Sequence, residues 1–334
     1  MNRFQYLTLF LLCSLPRISF AQDQPQPSAQ QPESIRVSVD RVNVGVVVTD
    51  AQGHFVEGLQ REDFQLLDNG SEQPITGFSA IEEPAQVLLL IEAGPAVYLL
   101  ESGHIRAAHA LLDGLSSGDR VAVVKYDQRP QAILDFTPDK GTVSAALEEL
   151  RFNLGFGSLN LSSSLATVLD WLSQVQGKKT IVLLSSGVDT SPANEVGVIF
   201  QRLKTSEVRV LAISLTGGLR TPEPPSGKKG VPPKPSATTQ QFDQADQFLK
   251  QLAESTGGRA YFPKSTKDFS AVYAQISQLV RHEYSLAFAP PNHDRAIHSI
   301  DVHISPQPNS NSAPNTPAPT YRIDHRQAYV APAP

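Results

Sequence analysis

The chain has 334 residues, 40% of them hydrophobic, with 26 prolines, one cysteine and a formal net charge of −5. That length can bury a sizeable core and suits about two domains. The acidic balance gives no basic footprint for nucleic acid, and the lone thiol gives no disulfide framework.

Residues 1–21 read as a signal peptide. Arg3 supplies a positive start, Leu7–Leu15 an apolar stretch, and Ser19-Phe20-Ala21 a small-residue cleavage point. The apolar run is too short to span a bilayer as a helix. Its removal takes Arg3, Arg17 and Cys13 with it, so the mature chain is expected to carry −7 and no cysteine. It is expected to lack a transmembrane segment and to be exported, to the periplasm or outside the cell; a retained N-terminal anchor is the alternative. Residues 22–33, rich in Gln, Pro and Ser, read as a disordered linker.

Residues 34–84 read as an N-terminal β segment. Val42, Val44, Val46 and Val48 alternate with other residues, as a half-buried strand requires. Asp50-Ala51-Gln52-Gly53 is a turn; Phe64, Leu66 and Leu67 form a second strand closed by Asp68-Asn69-Gly70. Asp50, Asp63 and Asp68 raise the question of calcium, but turn chemistry accounts for Asp50 and Asp68.

From 85 to 282 the pattern changes to alternating strands and helices. Val87–Glu92, Arg120–Tyr126, Thr180–Ser185 and Val208–Leu215 are Val/Ile/Leu-rich without alternation, as in a parallel sheet covered on both faces. Between them, apolar residues recur at spacings of three and four: Ile105, Ala108, Leu112 and Leu115; Leu161, Leu165, Val168 and Leu172; Phe242, Ala245, Leu249 and Leu252; Phe269, Val272, Ile276 and Leu279. The expected fold class is α/β, a doubly wound and mostly parallel sheet, with Gln131–Phe136 as an antiparallel edge. Residues 216–240, Pro-rich and basic, read as a disordered insertion.

Residues 283–331 alternate again, as strands Tyr284–Ala289, His298–Ile304 and Tyr321–Val330, with low-complexity residues 305–320 between the last two. The expectation is that 283–331 packs with 34–84 as a small β-sandwich-like domain into which the α/β unit is inserted; two separate β units are the alternative.

Catalytic arrangements are scarce. His104 and His109 are five apart on a helix, and His298 and His303 five apart on a strand, so neither pair shares a face. No Gly-x-Ser-x-Gly elbow and no phosphate loop occurs.

The chain resembles von Willebrand factor type A (VWA) domain proteins over roughly Gln86–Arg281, and is similar to the VWA-related family of acidobacteria over most of its length. The matching residues are Val48-Thr49-Asp50, Gly53, Val56-Glu57-Gly58-Leu59, Asp63-Phe64, Gly118-Asp119-Arg120, Thr256-Gly257-Gly258-Arg259 and Glu283-Tyr284-Ser285-Leu286. The resemblance implies a metal-ion-dependent adhesion site with side chains from three loops. Its positions fall on Glu92, Gly94 and Ala96, on Leu159, and on Ser186, and all five depart from the family pattern. Hard divalent ions need oxygen ligands in near-ideal geometry, which Gly94, Ala96 and Leu159 do not supply.

The sequence thus points to a non-enzymatic interaction or adhesion module with a protein partner, no cofactor and a degenerate metal site. Its candidate binding rim is Glu92, Asp127, Ser158, Ser186 and Asp189. The alternatives are adhesion through Mg²⁺ or Ca²⁺ held by Glu92, Asp189 and the hydroxyls of Ser158 or Ser162, and a hydrolase of the cell envelope.

Overall fold

The computed structural model describes residues 41–81, 84–94, 101–150, 157–220, 237–265, 267–304 and 320–333. The expectations for 1–21, 22–33, 305–319 and Ala96 lie outside the described residues.

The N-terminal strands are β1 (Val42–Thr49), β2 (Phe64–Asp68), β3 (Ser71–Gln73) and β4 (Gly77–Ile81). Strand β1 is almost wholly buried because its two faces meet different cores. Val42, Val44, Val46 and Val48 enter one cluster, while Val47 on the other face joins the core of the following α/β unit. At the turn after β1, Asp50 Oδ1 accepts the backbone N–H groups of Gln52 and His54, both at 2.9 Å. Gly53 sits there at φ +88°, a conformation open to glycine at little cost.

The α/β unit runs β5 (Ala85–Glu92), α1 (Glu101–Gly114), β6 (Arg120–Tyr126), β7 (Pro130–Thr137), α2 (Lys140–Glu148), α3 (Leu161–Leu172), β8 (Lys178–Ser185), α4 (Ala193–Thr205), β9 (Val208–Ser214), α5 (Ala237–Glu254), β10 (Arg259–Tyr261) and α6 (Phe269–Arg281). Its six-stranded sheet has the order β10-β9-β8-β5-β6-β7. All neighbours are parallel except β7, which is antiparallel to β6 at the edge. Val87, Leu89 and Ile91 face a cluster with α1, α2 and α6, whereas Leu88 and Leu90 face α3, α4 and α5. Burial on both faces explains why these strands read as unbroken apolar runs.

Helices α2 and α4 carry no long apolar stripe and are absent from the sequence expectation. Each buries only two large side chains, Val143 and Leu147 in one, Ile199 and Leu203 in the other. Asp139 caps α2 by accepting from Gly141 N at 2.9 Å. The expected insertion 216–240 is also narrower. Thr216–Leu219 is a helical turn and Ala237 begins α5, which leaves 221–236 outside the described residues.

The chain closes with β11 (Glu283–Phe288), β12 (Ile297–Ile304), β13 (Arg322–His325) and β14 (Ala328–Val330). Two four-stranded antiparallel sheets result, β13-β1-β11-β4 and β14-β12-β2-β3, each mixing N- and C-terminal strands. The mostly parallel sheet flanked by these antiparallel sheets bears out the expected fold class. The single strand expected at Tyr321–Val330 is two. At Arg326 the chain leaves one sheet for the other, so that β13 pairs with β1 and β14 with β12. Arg326 is buried there and donates to Asn43 O at 2.6 Å.

Asp68 does more than shape a turn. It is buried at the end of β2 and bonded to His298 Nδ1 on β12 at 3.0 Å, while His298 Nε2 faces Asp294 at 3.2 Å. Burial alone would lower the His298 pKa, but the bonds and charges of Asp294 and Asp68 outweigh it and raise the pKa above its usual 6.5. Residues 39–334 form one compact unit. Within it, Arg209 on β9 donates to Glu283 on β11 at 2.6 Å, and Arg259 on β10 binds Asp324 on β13.

Candidate functional site

Three loops meet at the carboxyl edge of the parallel sheet, the edge where open α/β sheets bind ligands. The first continues β5 through Ala93 and Gly94, the second is 157–160 ahead of α3, and the third is 186–191 after β8. Backbone bonds knit them. Asn160 N donates to Asp127 O at 2.8 Å, and Thr190 N to Leu159 O at 2.7 Å. Thr190 Oγ1 in turn accepts from Leu159 N at 3.0 Å.

Glu92, expected to end the strand and to form part of the binding rim, is the last residue of β5 but is 0% exposed. Its Oε2 accepts from Ser186 N at 2.7 Å and Ser186 Oγ at 2.8 Å, and more distantly from Ser185 Oγ and Tyr126 OH at 3.3 and 3.4 Å. Oε1 is buried without a hydrogen-bond partner. Burial raises the Glu92 pKa, which the bonds from Ser186 only partly oppose. Ser186 is likewise buried, at 2% exposure, and is not a rim residue. Tyr126 and Ser185 also belong to this cluster, though they are not among the expected site residues; their hydroxyls lie 2.7 Å apart beneath the edge. The available signal was a polar residue closing each of the two apolar strands, β6 and β8, that flank β5.

The other positions separate by role. Asp189 anchors the start of α3: Oδ1 accepts from Leu161 N and Oδ2 from Ser162 N, both at 3.1 Å, and Ser162 Oγ also donates to Oδ2. This satisfies N–H groups left unpaired at a helix start. Asp127 is half-buried and turns its Oδ1 back to its neighbour Gln128 N; Ser158 is exposed. Gly94 and Leu159 lie side by side. A Cβ placed on Gly94 would stand 3.1 Å from Glu92 Oε1 and 3.2 Å from Leu159 Cδ2. The structure thus gathers Glu92, Gly94, Leu159 and Ser186 at one place. Among the described residues, no three His, Cys, Asp or Glu side chains converge so as to hold a metal ion.

Residues 102–188, from α1 through β8 and past Ser186, match the family model of the von Willebrand factor type A domain. That stretch of the α/β unit is similar to a VWA domain. Solved structures similar to this chain include an aerotolerance-related membrane protein of Bacteroides fragilis, at 13% identity and TM-score 0.46, covering 59% of this chain and 98% of that one. A von Willebrand factor type A protein of Catenulispora acidiphila aligns at 10% identity and TM-score 0.46, covering 81% and 74%. Proximal thread matrix protein 1 of the mussel byssus, solved with a zinc-occupied MIDAS motif, aligns at 14% identity and TM-score 0.42, covering 60% and 49%. No curated protein matches the sequence. The buried Glu92–Ser186 cluster lies at the ends of β5 and β8, at the carboxyl edge of the parallel sheet. Val188, 40% exposed, and the half-buried Leu159 give that edge an apolar character among exposed hydroxyls such as Ser158 and Thr190. Among the described residues, no helix is long and apolar enough to cross a membrane.

Proposed function

We propose that this protein is a non-enzymatic, exported interaction module whose VWA domain engages a protein partner without a bridging metal ion. The observation carrying this reading is the Leu159 side chain beside Gly94, with both Leu159 and Glu92 Oε1 crowding the space a Gly94 Cβ would take. A hard divalent ion needs several oxygen donors at about 2.0–2.6 Å. Gly94 and Leu159 supply no side-chain oxygen, and Ser186 spends its hydroxyl on Glu92. Glu92 is turned inward, and burial favours its neutral form. The residues do not fit the ion that the family implies. What remains at the edge is an apolar and hydroxyl surface suited to a protein partner through shape and hydrogen bonds.

Export rests on the signal-like residues 1–21, and the module character on the VWA match of residues 102–188. Two measurements test the reading together. Calorimetry with Mg²⁺, Mn²⁺ and Ca²⁺ is expected to show no stoichiometric site, and partner capture from an envelope extract to be the same with and without chelator. A micromolar divalent-ion site, or capture abolished by chelator, overturns it.

A further inference from the structure

The opposite end of the parallel sheet holds a second feature. Where β8 and β9 begin, a cleft of about 480 Å³ opens against β1, β11 and the corner between β13 and β14. Five cationic side chains line it: Arg41, Lys178, Lys179, Arg209 and Arg326. Only two carboxylates do, Glu207 and Glu283. The chain as a whole is acidic, at −5, yet this cleft carries an excess of three positive charges.

The carboxylates do not balance the cations. Glu283 is engaged by two of them, Arg209 NH1 at 2.6 Å and Lys178 Nζ at 3.1 Å, from the same oxygen, Oε2. Burial would push the Glu283 pKa up, but the charges of Arg209 and Lys178 outweigh it and hold the acid ionised. Lys178 remains below its usual pKa, first through burial and then through the charge of Arg209, despite Glu283 beside it. Glu207 is exposed to solvent.

Arg326 is the most telling residue. It is 9% exposed and its guanidinium makes one hydrogen bond, to the neutral Asn43 carbonyl. Its Nε has no partner, nor does Nε of Arg209, also 9% exposed. No carboxylate among the described residues forms an ion pair with Arg326; the charge of the exposed Glu207 acts on it from across the cleft, but burial outweighs it and leaves the Arg326 pKa lowered. A guanidinium is rarely buried without a counter-charge, because desolvation must be offset by a partner.

We propose that this cleft is a binding site for a phosphate group carried by a small molecule, with Arg326 and Arg209 at its base and Arg41 and Lys179 toward solvent. A doubly charged oxyanion answers an excess of three charges better than a single carboxylate does, and the guanidinium fork suits phosphate. The volume falls within the range of small-molecule sites. The site is independent of the carboxyl edge and of any partner bound there.

The experiment uses the full chain with inorganic phosphate as probe and sodium chloride at matched ionic strength as control. Thermal unfolding is expected to show a saturable rise in Tm with phosphate alone, and amide shifts are expected at Gly45 and Gly177. Arg326→Gln should weaken apparent affinity at least tenfold. Because that variant removes a buried bond to Asn43, Arg41→Gln with Lys179→Gln is run beside it and should weaken affinity several-fold with an unchanged far-UV spectrum. Vesicles of phosphatidylcholine with and without phosphatidic acid form a second arm. Selective capture by phosphatidic acid identifies a lipid headgroup as the source, and its absence with phosphate binding intact identifies a free metabolite. Equal responses to phosphate and chloride with no selective vesicle capture, or amide shifts confined to other regions, overturn the proposal.

Discussion

Ser186 donates both its backbone N–H and its hydroxyl to a single oxygen of Glu92, at 2.7 and 2.8 Å. Glu92 closes β5 and Ser186 directly follows the neighbouring β8, so the pair fastens the edge from inside. Because burial raises the Glu92 pKa, the folded state holds that proton more tightly than the unfolded chain does. The associated stability is complete below the unfolded carboxyl pKa, about 4.3, and is lost as pH rises through the higher folded value. Glu92→Gln is expected to flatten this dependence, so its stability relative to wild type improves from pH 4 to pH 8 in urea unfolding. Glu92→Ala strands the Ser186 donors and should cost about 1–3 kcal/mol.

The contact between Gly94 and Leu159 predicts a coupling. A Cβ on Gly94 meets Leu159 Cδ2 at 3.2 Å and Glu92 Oε1 at 3.1 Å, so Gly94→Ala should destabilise by about 1 kcal/mol through overpacking. With Leu159→Ala in place, part of that cost should vanish. A double-mutant cycle by denaturant unfolding reads the difference, and strict additivity would mean that the two side chains do not compete for space.

Asp189 is assigned to holding α3. Replacement by Ala removes the acceptor for Leu161 N, Ser162 N and Ser191 N, and should cost about 1–2 kcal/mol, the scale of a lost helix cap. Divalent-ion response should not change. A variant that lost ion binding while keeping its stability would move Asp189 back to a ligand role.

His298 should give the sandwich its own pH dependence. Its pKa is raised in the folded state, so its contribution is full below the unfolded value of about 6.5 and falls as pH rises through the folded value. At pH 6, His298→Ala is expected to cost about 3 kcal/mol, since it leaves the buried Asp68 without its partner. The gap to wild type should narrow by pH 9, as measured by chemical unfolding at both values.

The strands of the α/β unit were legible because burial on two faces demands unbroken apolar runs, and β5, β6, β8 and β9 have them. The positions meeting at the edge were legible through the family pattern. The burial of Glu92 was not, because its partners, Tyr126, Ser185 and Ser186, lie on or just after other strands, remote in sequence. Helices α2 and α4 were missed since two buried residues in each make no readable stripe. The corner at Arg326 was missed for a related reason. Alternation continues in sequence across a change of sheet, and only the Asn43 carbonyl shows where the chain turns.

Strand β1 pairs on one side with β11 and on the other with β13. The whole α/β unit lies between β1 and those partners in the chain, whereas β5 through β10 find their neighbours within one contiguous stretch. During synthesis, the valine-rich β1 emerges first and stays unpaired until nearly the last residues arrive. Pairings this distant form late, after large loops have closed. The α/β unit is therefore free to fold as an early nucleus, and a chain cut short before β13 would leave a sticky, half-matched strand at its front end.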